Sequence, residues 1–409
     1  MKKILTTILT IIIAVSLVGC KKEDKITFWN PLTGDDGAFM EKIVEEYNAT
    51  DPEFKVESII TPDMYTKLFT VINAGKGIPD LTLIHAHVIQ QFGKLDLMEP
   101  VSVLQEYNPN LVKENYLEQA WNSGEYDGIQ YTIPLDIHGN VMYYNKDLLS
   151  KYGVEHFLDD NIVTVDEMLQ LAGKMEEGDY VVNNALFEWV TFGNLVALGG
   201  SLSDESGNPT LDTPEMRQVI QKLKELADNG LLTPYGEDGY AMFQAGNVLF
   251  STDGTWTSTA HDSIDGLDYG VTNVYSTSDG SKFYNRSSAH LFSILKNNER
   301  SEEKVKGIAD FLDFVRENSL VWAEAGQIVA SKEIFESEEY TKYPQSFFTS
   351  TEEEKESLYI FDYEYYNYAE QALASVLNDI VYGNVDIDEG MKKAQDQLKD
   401  LIEESEKSN

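Results

Sequence analysis

Aromatic and polar side chains able to bind a small polar molecule follow two of the predicted strands of this chain. Trp29 and Asn30 end the first strand, and His85 and His87 follow a third strand over 80–84. Open α/β sheets bind ligands at the edge where their parallel strands end. An indole, an amide and two imidazoles at this edge offer stacking and hydrogen bonding, which is binding chemistry. Trp29 fits a core position equally well.

Two neighbouring histidines also raise the question of a bound metal ion. No third ligand accompanies His85 and His87 at a recognisable spacing, and Cys20 is the only cysteine. We therefore expect no metal ion and no cofactor. The acidic segment 386–390 lacks the ligand order of a calcium-binding loop, and the sequence contains no phosphate-binding loop or nucleophile elbow. Carboxylates are abundant enough for a glycosidase, but no spacing singles out a catalytic pair.

The charge of the chain limits its partners. Its formal net charge is −39, from 31 basic and 70 acidic side chains. Such a chain repels the phosphates of nucleic acid and the anionic lipids of a membrane surface, so we expect neither as a direct partner. An anionic ligand has to overcome the same field, whereas a neutral or cationic ligand does not.

The first residues have the pattern of an export signal. Lys2 and Lys3 precede an uncharged, mostly apolar stretch over 4–18, which is short for a membrane span. The Leu-Val-Gly-Cys sequence that ends at Cys20 resembles the bacterial lipobox. That resemblance implies that residues 1–19 are removed and that the Cys20 thiol carries acyl chains, which hold a protein on a membrane. The alternative is an uncleaved signal anchor with an incidental cysteine.

The elements expected to position the candidate residues alternate between strands and helices. This order predicts an α/β fold in which crossover helices connect parallel strands. Two helix starts carry clear capping signals, with Thr164 and Glu167 forming a capping box and Thr213 preceding Pro214. The segment 331–360 is polar and is expected to be rich in loops. The expected strands cover 26–29, 54–60, 80–84, 129–135 and 140–144, and the main helices cover 39–47, 64–74, 304–315, 365–380 and 388–402.

Several short segments, in this order and spacing, resemble one protein family. With these segments taken together, the chain resembles the extracellular solute-binding proteins of bacterial carbohydrate ABC transporters, the maltose-binding-protein-like group. The resemblance extends over almost all of the chain that follows the export signal. The segments that carry it are Ile26-Thr27-Phe28-Trp29, the Ala-Gly-Lys-Gly-Ile-Pro-Asp of 74–80, the block 126–148, the pair 243–247 and 253–256, and the segment 322–328.

The resemblance implies a periplasmic-binding-protein-like fold of the α/β class. Two α/β lobes are joined by crossing hinge segments, and the ligand lies in the cleft between them. The expected division is a lipoprotein signal peptide over 1–19, a lipidated tether over 20–25, an N-terminal lobe over 26–135 and 288–331, and a C-terminal lobe over 136–287 and 332–409.

The function implied by the resemblance is that of a receptor rather than an enzyme. The protein captures a sugar or oligosaccharide by hinge closure and delivers it to ABC transporter permease subunits. It is expected to be a monomer on the extracellular face of the cell membrane, anchored through the lipid on Cys20. Two alternatives stay open, namely a secreted glycosidase and a solute-binding protein for a peptide or another polar solute that is not a sugar.

Further candidate ligand-binding residues follow from the family pattern. Trp256 corresponds to a stacking residue, and the Asp253-Gly254 turn is placed to project it toward the cleft. Asp136 and His138 lie beside one expected crossing and Arg286 lies beside the other. Carboxylates, imidazoles and guanidinium groups bind sugar hydroxyls, and aromatic faces bind the apolar faces of sugar rings. The alternatives are a core indole for Trp256, turn carboxylates for the two aspartates, and a salt bridge for Arg286.

Overall fold

The computed structural model of the chain describes residues 25–34 and 36–408. The predicted export signal and Cys20 lie outside the described residues. None of the helices in the described part combines the length and apolarity needed to cross a bilayer.

Fourteen strands in the described part supply the sheets. They are β1 (Ile26–Asn30), β2 (Val56–Ile60), β3 (Leu81–His85), β4 (Glu125–Tyr126), β5 (Ile129–Gln130), β6 (Thr132–Pro134), β7 (Asp136–Asn145), β8 (Tyr180–Val182), β9 (Val248–Gly254), β10 (Tyr269–Thr272), β11 (Asn285–Ser288), β12 (His290–Ser293), β13 (Ile328–Val329) and β14 (Leu358–Ile360).

The helices lie between these strands and after them. The longer ones are Asp36–Ala49, Met64–Ala74, Phe187–Ala197, Pro214–Asp228, Glu302–Glu317, Tyr366–Val381 and Ile387–Ser408. The shorter ones are Ile89–Lys94, Ser102–Gln105, Glu118–Asn122, Lys146–Tyr152, Val165–Leu169, Gly239–Gln244, Ser258–Asp262, Leu320–Ala323, Lys332–Phe335 and Glu352–Ser357.

The first sheet has the strand order β2-β1-β3-β12-β6. Strand β1 pairs in parallel with β2 and β3, and β12 is antiparallel to both β3 and β6. The predicted strand–helix alternation therefore forms the parallel part of this sheet. Strand β3 is buried along most of its length, as a strand covered on both faces must be. Its last residue is His85, which directly faces His290 of β12.

The second sheet is organised around β7, a strand of ten residues. Its order is β14-β11-β7-β9-β8, and β10 and β13 also pair with β7. The sequence pattern predicts one strand at 129–135 and a second at 140–144. The chain instead forms two short strands, β5 and β6, and then the long β7. Strand β7 supplies the candidate residues Asp136 and His138 at its beginning.

The chain passes between the two sheets where β6 is followed by β7 and again where β11 is followed by β12. Only Leu135 separates the first pair, and only Ala289 separates the second. We propose these points as the lobe crossings, with the expected N-terminal lobe of 26–135 and 288–331 and C-terminal lobe of 136–287 and 332–409, except that Ser288 belongs to β11 of the second sheet. Strand β13 lies within the proposed N-terminal lobe, but it pairs with β7 of the second sheet.

Burial of apolar side chains stabilises both halves. Phe28, Phe292 and Phe311 pack beside the first sheet, with centroids of neighbouring rings 5.6–6.4 Å apart. Leu223 and Leu373, both fully buried, belong to the core of the second half. Burial of each side chain of this size stabilises the fold by about 1.5–3 kcal/mol. The first cluster continues into residues of the second sheet, so the two halves share packed contacts.

Helix capping follows the sequence signals. Thr164 and Glu167 form the expected capping box, and the Thr213 side chain accepts a hydrogen bond from the backbone of Met216. The expectation of a loop-rich segment over 331–360 was incomplete, because two short helices and β14 lie within it. The sequence of the helix Phe187–Ala197 has no amphipathic pattern, because seven of its residues are buried and they lie on most sides of the helix. That helix holds a residue of the candidate site.

Candidate functional site

A cavity of about 450 Å³ lies between the two sheets. Its walls come from the ends of β3 and β12, from the segment after β1, from β7 and β11, and from the helices Phe187–Ala197 and Tyr366–Val381. The described lining residues are Pro31, Leu32, Thr33, Gly34, Asp36, His85, His87, His138, Trp189, Trp256, Arg286, Ser288, His290, Gln327, Asn367 and Glu370. Five of the predicted site residues are among them, from both proposed lobes. We call this cavity the cleft.

Two indoles form the aromatic wall of the cleft. The rings of Trp189 and Trp256 meet edge to face, with centroids 5.7 Å apart, and Trp256 meets His138 in the same way at 5.9 Å. Gly254 allows the Trp256 indole to fold back over the backbone, because a Cβ atom at Gly254 would lie 2.2 Å from the ring. Asp253 and Gly254 are the last residues of β9 rather than the predicted turn, and Trp256, two residues beyond the end of that strand, lines the cleft.

Arg286 is held against the Trp189 indole by a cation–π contact, a hydrogen bond and an ion pair. Its guanidinium carbon lies 3.5 Å from the centroid of the Trp189 ring. Its Nε donates to the Tyr366 hydroxyl at 2.5 Å, and its Nη2 lies 3.3 Å from Glu370 Oε2. The other oxygen of Glu370 accepts a 2.5 Å hydrogen bond from Trp189 Nε1.

These contacts leave one end of the guanidinium group unused. Arg286 is buried, and its Nη1 has no hydrogen-bond partner among residues 25–34 and 36–408. A buried donor without a partner costs free energy, which a polar group of a bound solute would recover. The salt bridge expected as the alternative for Arg286 is present, and it coexists with a place in the cleft wall.

Asp136 is the hub that fixes the cleft histidines. Its carboxylate is fully buried and accepts four hydrogen bonds. The donors are His138 Nδ1 at 3.1 Å, His290 Nδ1 at 2.8 Å, the backbone nitrogen of His290 at 3.0 Å and Trp322 Nε1 at 2.7 Å. Because an ionised carboxylate only accepts, both imidazoles carry a proton on Nδ1. Asp136 therefore orients cleft residues without lining the cleft itself.

Protonation in this cluster follows burial and the Asp136 charge. Burial is the largest single influence on the pKa of Asp136, and it raises that pKa. The charge of His290 and the hydrogen bonds from both imidazoles together outweigh burial, so the pKa of Asp136 lies well below its usual value. Burial and the nearby His290 lower the pKa of His138 to about 4. Burial and neighbouring histidines also lower the pKa of His85. Burial opposes protonation of His290, yet Asp136 raises its pKa.

Two further predicted residues stand beside the cleft rather than in its wall. Asn30 is buried, donates to Ser58 Oγ at 3.0 Å and accepts from the Leu32 backbone at 3.2 Å, so it shapes the segment after β1 that lines the cleft. Trp29 is half-buried and packs against an apolar cluster of the first half. Both residues are at the predicted end of β1, and neither lines the cleft.

Asp253 is a buried carboxylate on β9 whose Oδ1 accepts a 2.7 Å hydrogen bond from the Gly254 backbone. It is 9% exposed and does not line the cleft. Burial raises the pKa of Asp253 from an ordinary value of 3.8 to about 6. Ionisation of Asp253 is thus less favourable in the folded chain than in the unfolded one. The stability of the fold therefore falls as the pH rises from 3.8 to about 6, and it stays lower at higher pH.

Asp253→Asn is expected to raise the free energy of unfolding near neutral pH by about 2–3 kcal/mol, since each pKa unit is worth about 1.4 kcal/mol. The amide oxygen keeps the bond to Gly254. Urea unfolding at about pH 7.5 and about pH 4 measures the effect, which should vanish at the lower pH. Asp268→Asn, at a side chain 64% exposed, serves as the control. An equal gain at both pH values would show that ionisation of Asp253 is not its source.

Several residues of the cleft were not identified from the sequence. Trp189, His290 and Glu370 are the most important, and Asp36, Gln327 and Asn367 join them. His290 had a usable signal, because it follows the expected second crossing and a strand. Trp189 had none, since its helix is apolar on most sides. Leu186 begins that helix in the left-handed region, at φ 49°, which is costly for a residue other than glycine.

Two more cavities share the lining residue His87 with the cleft. One of about 420 Å³ lies between 86–90 and the β14 segment, and one of about 260 Å³ lies between 87–95 and 364–368. The aromatic side chains added by these two cavities are Tyr65, Tyr359, Phe361, Tyr363, Tyr365 and Tyr368.

Comparison with known proteins identifies related chains. The sequence profile of a family described as bacterial extracellular solute-binding protein matches residues 42–349. An arabinooligosaccharide-binding protein of Halalkalibacterium halodurans is 26% identical over 242 residues, covering 55% of this chain and 52% of that protein. This chain therefore spans about half the length of that curated relative.

Solved structures share the fold. An ABC substrate-binding protein of Listeria monocytogenes in complex with cycloalternan superposes with a TM-score of 0.76 at 18% identity, over 93% of this chain and 99% of that one. The GacH receptor of Streptomyces glaucescens, solved unliganded and with acarbose, has the same score and identity over 93% and 100% of the two chains. At these identities the matches establish a periplasmic-binding-protein-like α/β fold.

Proposed function

We propose, from the premise that this chain belongs to the bacterial extracellular solute-binding proteins, that it binds a carbohydrate in the cleft and delivers it to an ABC importer. The observation that carries the proposal is the composition of the cleft. Two indoles stand beside imidazole, amide, carboxylate and guanidinium groups, which suit the apolar faces and the hydroxyl groups of a sugar ring. Such a site discriminates strongly, because a missing hydroxyl leaves a buried partner unpaired.

The charges of the cleft favour a neutral solute. Its only described guanidinium group, Arg286, is paired with Glu370, so it carries no unbalanced positive charge for an anion. Asp36 adds a further carboxyl group, and the net charge of the chain is −39. A phosphate or carboxylate solute would have to enter against this field. A sugar would not. Arg286 lines the cleft and its Nη1 is buried without a partner, so a small shift of the side chain would let Nη1 donate to a sugar oxygen.

The length of the cleft favours an oligosaccharide over a single ring. The two cavities that share His87 with the cleft lead away from the indoles along aromatic side chains. Stacking surfaces repeated along a groove suit a chain of rings. Relatives described as arabinooligosaccharide-binding proteins agree with this size class.

The mechanism is closure of the two lobes around the solute. Residues of the first sheet, such as His85, and residues of the second half, such as Trp256, face the same cavity, so only a closed form offers all contacts at once. A solute shifts the population by its preference for that form, and a near-complete switch needs about 5.5 kcal/mol. The permease then recognises the closed pair of lobes.

Binding without catalysis fits the state of the cleft carboxylates. The described carboxyl groups that line the cleft are those of Asp36 and Glu370. Both oxygens of Glu370 are engaged, one by Trp189 and one by Arg286, and Asp136, behind the cleft wall, is saturated by four donors, which leaves Asp36 without a second carboxyl group to work with. A glycosidase needs one carboxyl group to deliver a proton and another to attack the sugar or activate water. Turnover of chromogenic glycosides, abolished by Asp136→Asn in a protein that remains folded, would instead establish an enzyme.

A ligand panel tests the proposal. The purified protein is heated with monosaccharides, with arabino- and malto-oligosaccharides, and with peptides and polyamines as the contrasting class. A solute that binds the folded form raises the melting temperature in proportion to ln(1 + [L]/Kd). At least one oligosaccharide is expected to do so, whereas a response only to peptides or polyamines would replace the sugar by another solute.

The anchor is proposed from residues outside the described part. Cys20 carries the lipid after removal of 1–19, and the chain then stays on the extracellular face of the membrane. Cys20→Ala is expected to release the protein from the membrane fraction or to stall its processing, since acyl chains contribute about 0.8 kcal/mol for each buried CH₂. Fractionation and gel migration check this. Wild-type behaviour of the variant would contradict the anchor.

A further inference from the structure

We propose that His85, His138 and His290 form a binding site for a divalent transition-metal cation of the zinc type within the cleft. One potential ligand atom from each of the three side chains lies within 4.8 Å of the others. The sequence predicts no metal site, because no third ligand lies close to His85 and His87 along the chain. The fold supplies two from distant strands. This inference goes beyond the proposed function and does not depend on which solute binds.

Strand register brings the three rings together. His85 and His290 are direct partners in the β3–β12 ladder, with ring centroids 4.8 Å apart. His138 comes from β7 of the other sheet, and its centroid is 4.2 Å from that of His290 and 5.8 Å from that of His85. Tetrahedral zinc with Zn–N bonds of about 2.0–2.1 Å holds its ligand nitrogens roughly 3.3 Å apart. Modest ring rotations therefore convert this cluster into a ligand set.

The outer partners of the rings select the ligand atoms. Asp136 occupies Nδ1 of both His138 and His290, and the Tyr65 hydroxyl lies 2.6 Å from Nδ1 of His85. No hydrogen bond among residues 25–34 and 36–408 uses Nε2 of these three rings, so Nε2 is the atom left for the metal ion once the rings turn toward a common point. A carboxylate on the far nitrogen is the usual support of a metal-binding imidazole. Metal binding fixes the His85 proton on Nδ1, directed at Tyr65.

The site has consequences for the cleft. Three imidazoles leave at least one position of a zinc ion free, and the ion would lie in the cavity that the solute enters. An oxygen atom of the solute can occupy that position. The ligands come from both sheets, so the cation would also favour the closed arrangement of the lobes. The net charge of −39 attracts a cation rather than opposing it.

Titration of the metal-stripped protein with Zn²⁺, without any sugar, tests the site. The wild-type protein is expected to bind one Zn²⁺ per chain. His85→Gln is expected to weaken binding at least 30-fold, because removal of a side chain that only supports a metal ligand already weakens binding by about 10–100-fold. His156→Gln is the matched control. His156 is exposed and lies outside the cleft, so the affinity of this variant for Zn²⁺ should stay within about threefold of wild type.

Cobalt provides a readout that needs no variant. Co²⁺ added to the stripped wild-type protein is expected to give the intense visible absorption of tetrahedral coordination. Absence of saturable Zn²⁺ binding, equal binding by His85→Gln, or a purely octahedral Co²⁺ spectrum would each overturn the site. The sugar panel is independent of all three results, so the two proposals fail separately.

Discussion

Replacing Asp136 with alanine is expected to lower the free energy of unfolding by about 3–5 kcal/mol, the usual cost of removing one partner of a buried charged cluster. The substitution leaves His138 Nδ1, His290 Nδ1, the His290 backbone and Trp322 Nε1 without their shared acceptor. Each buried donor left unpaired costs about 1–3 kcal/mol, partly offset where a ring changes tautomer or a water enters.

Equilibrium unfolding in urea measures this loss. Asp268→Ala provides the matched control, because Asp268 forms a 2.7 Å ion pair with Lys146 but its side chain is 64% exposed. Exposed pairs contribute about 0–1 kcal/mol, so the control should stay close to wild type. If the two variants lose equal stability, Asp136 is not the hub described above. Because Asp136 joins β7 to β12, its loss is also expected to loosen the crossing between the sheets.

Trp256→Ala is expected to weaken binding of the preferred sugar by about 30-fold or more, which corresponds to about 2 kcal/mol. The indole is one of the two flat walls of the cleft, and it is fixed between Trp189, His138 and the Gly254 backbone. Truncation removes the stacking face and leaves a gap that water fills. Titration calorimetry with the tightest-binding sugar of the panel measures the change.

Trp256→Phe is the matched variant for this prediction. It keeps a flat aromatic face on the same backbone, so it should retain most of the affinity lost in the alanine variant. Thermal unfolding of all three proteins separates a loss of contact from a loss of fold. Equal affinity of wild type and Trp256→Ala would place the sugar away from the indole wall.

Secondary structure was predictable where its signal lies in neighbouring residues. The structure confirms the capping box of Thr164 and Glu167 and the helix start at Thr213-Pro214. It also confirms the parallel strands expected from the alternation of strands and helices in the first part of the chain. The helix Phe187–Ala197 was missed because it is buried on most sides, which removes the period that reveals an amphipathic helix. Trp189 was missed together with it.

The cleft could be predicted only in part, because its assembly depends on distant residues. The family pattern pointed to Trp256, His138 and Arg286, which all line the cleft. Whether Asp136 faces the cleft or supports it from behind depends on the pairing of β7 with β13 and on its hydrogen bonds to His290, which no local spacing encodes. The register of β3 against β12 brings His290 to His85, so the three-histidine cluster was invisible in the sequence.

A crystal structure of the protein with the tightest-binding sugar of the panel tests the central claim most directly. We expect a sugar ring in van der Waals contact with the Trp256 indole, at about 3.5–4.0 Å between carbon atoms, and a hydroxyl that accepts a hydrogen bond from Arg286 Nη1. Residues of both sheets should touch the same ligand. A sugar bound outside the cleft, or held by residues of one sheet alone, would contradict it.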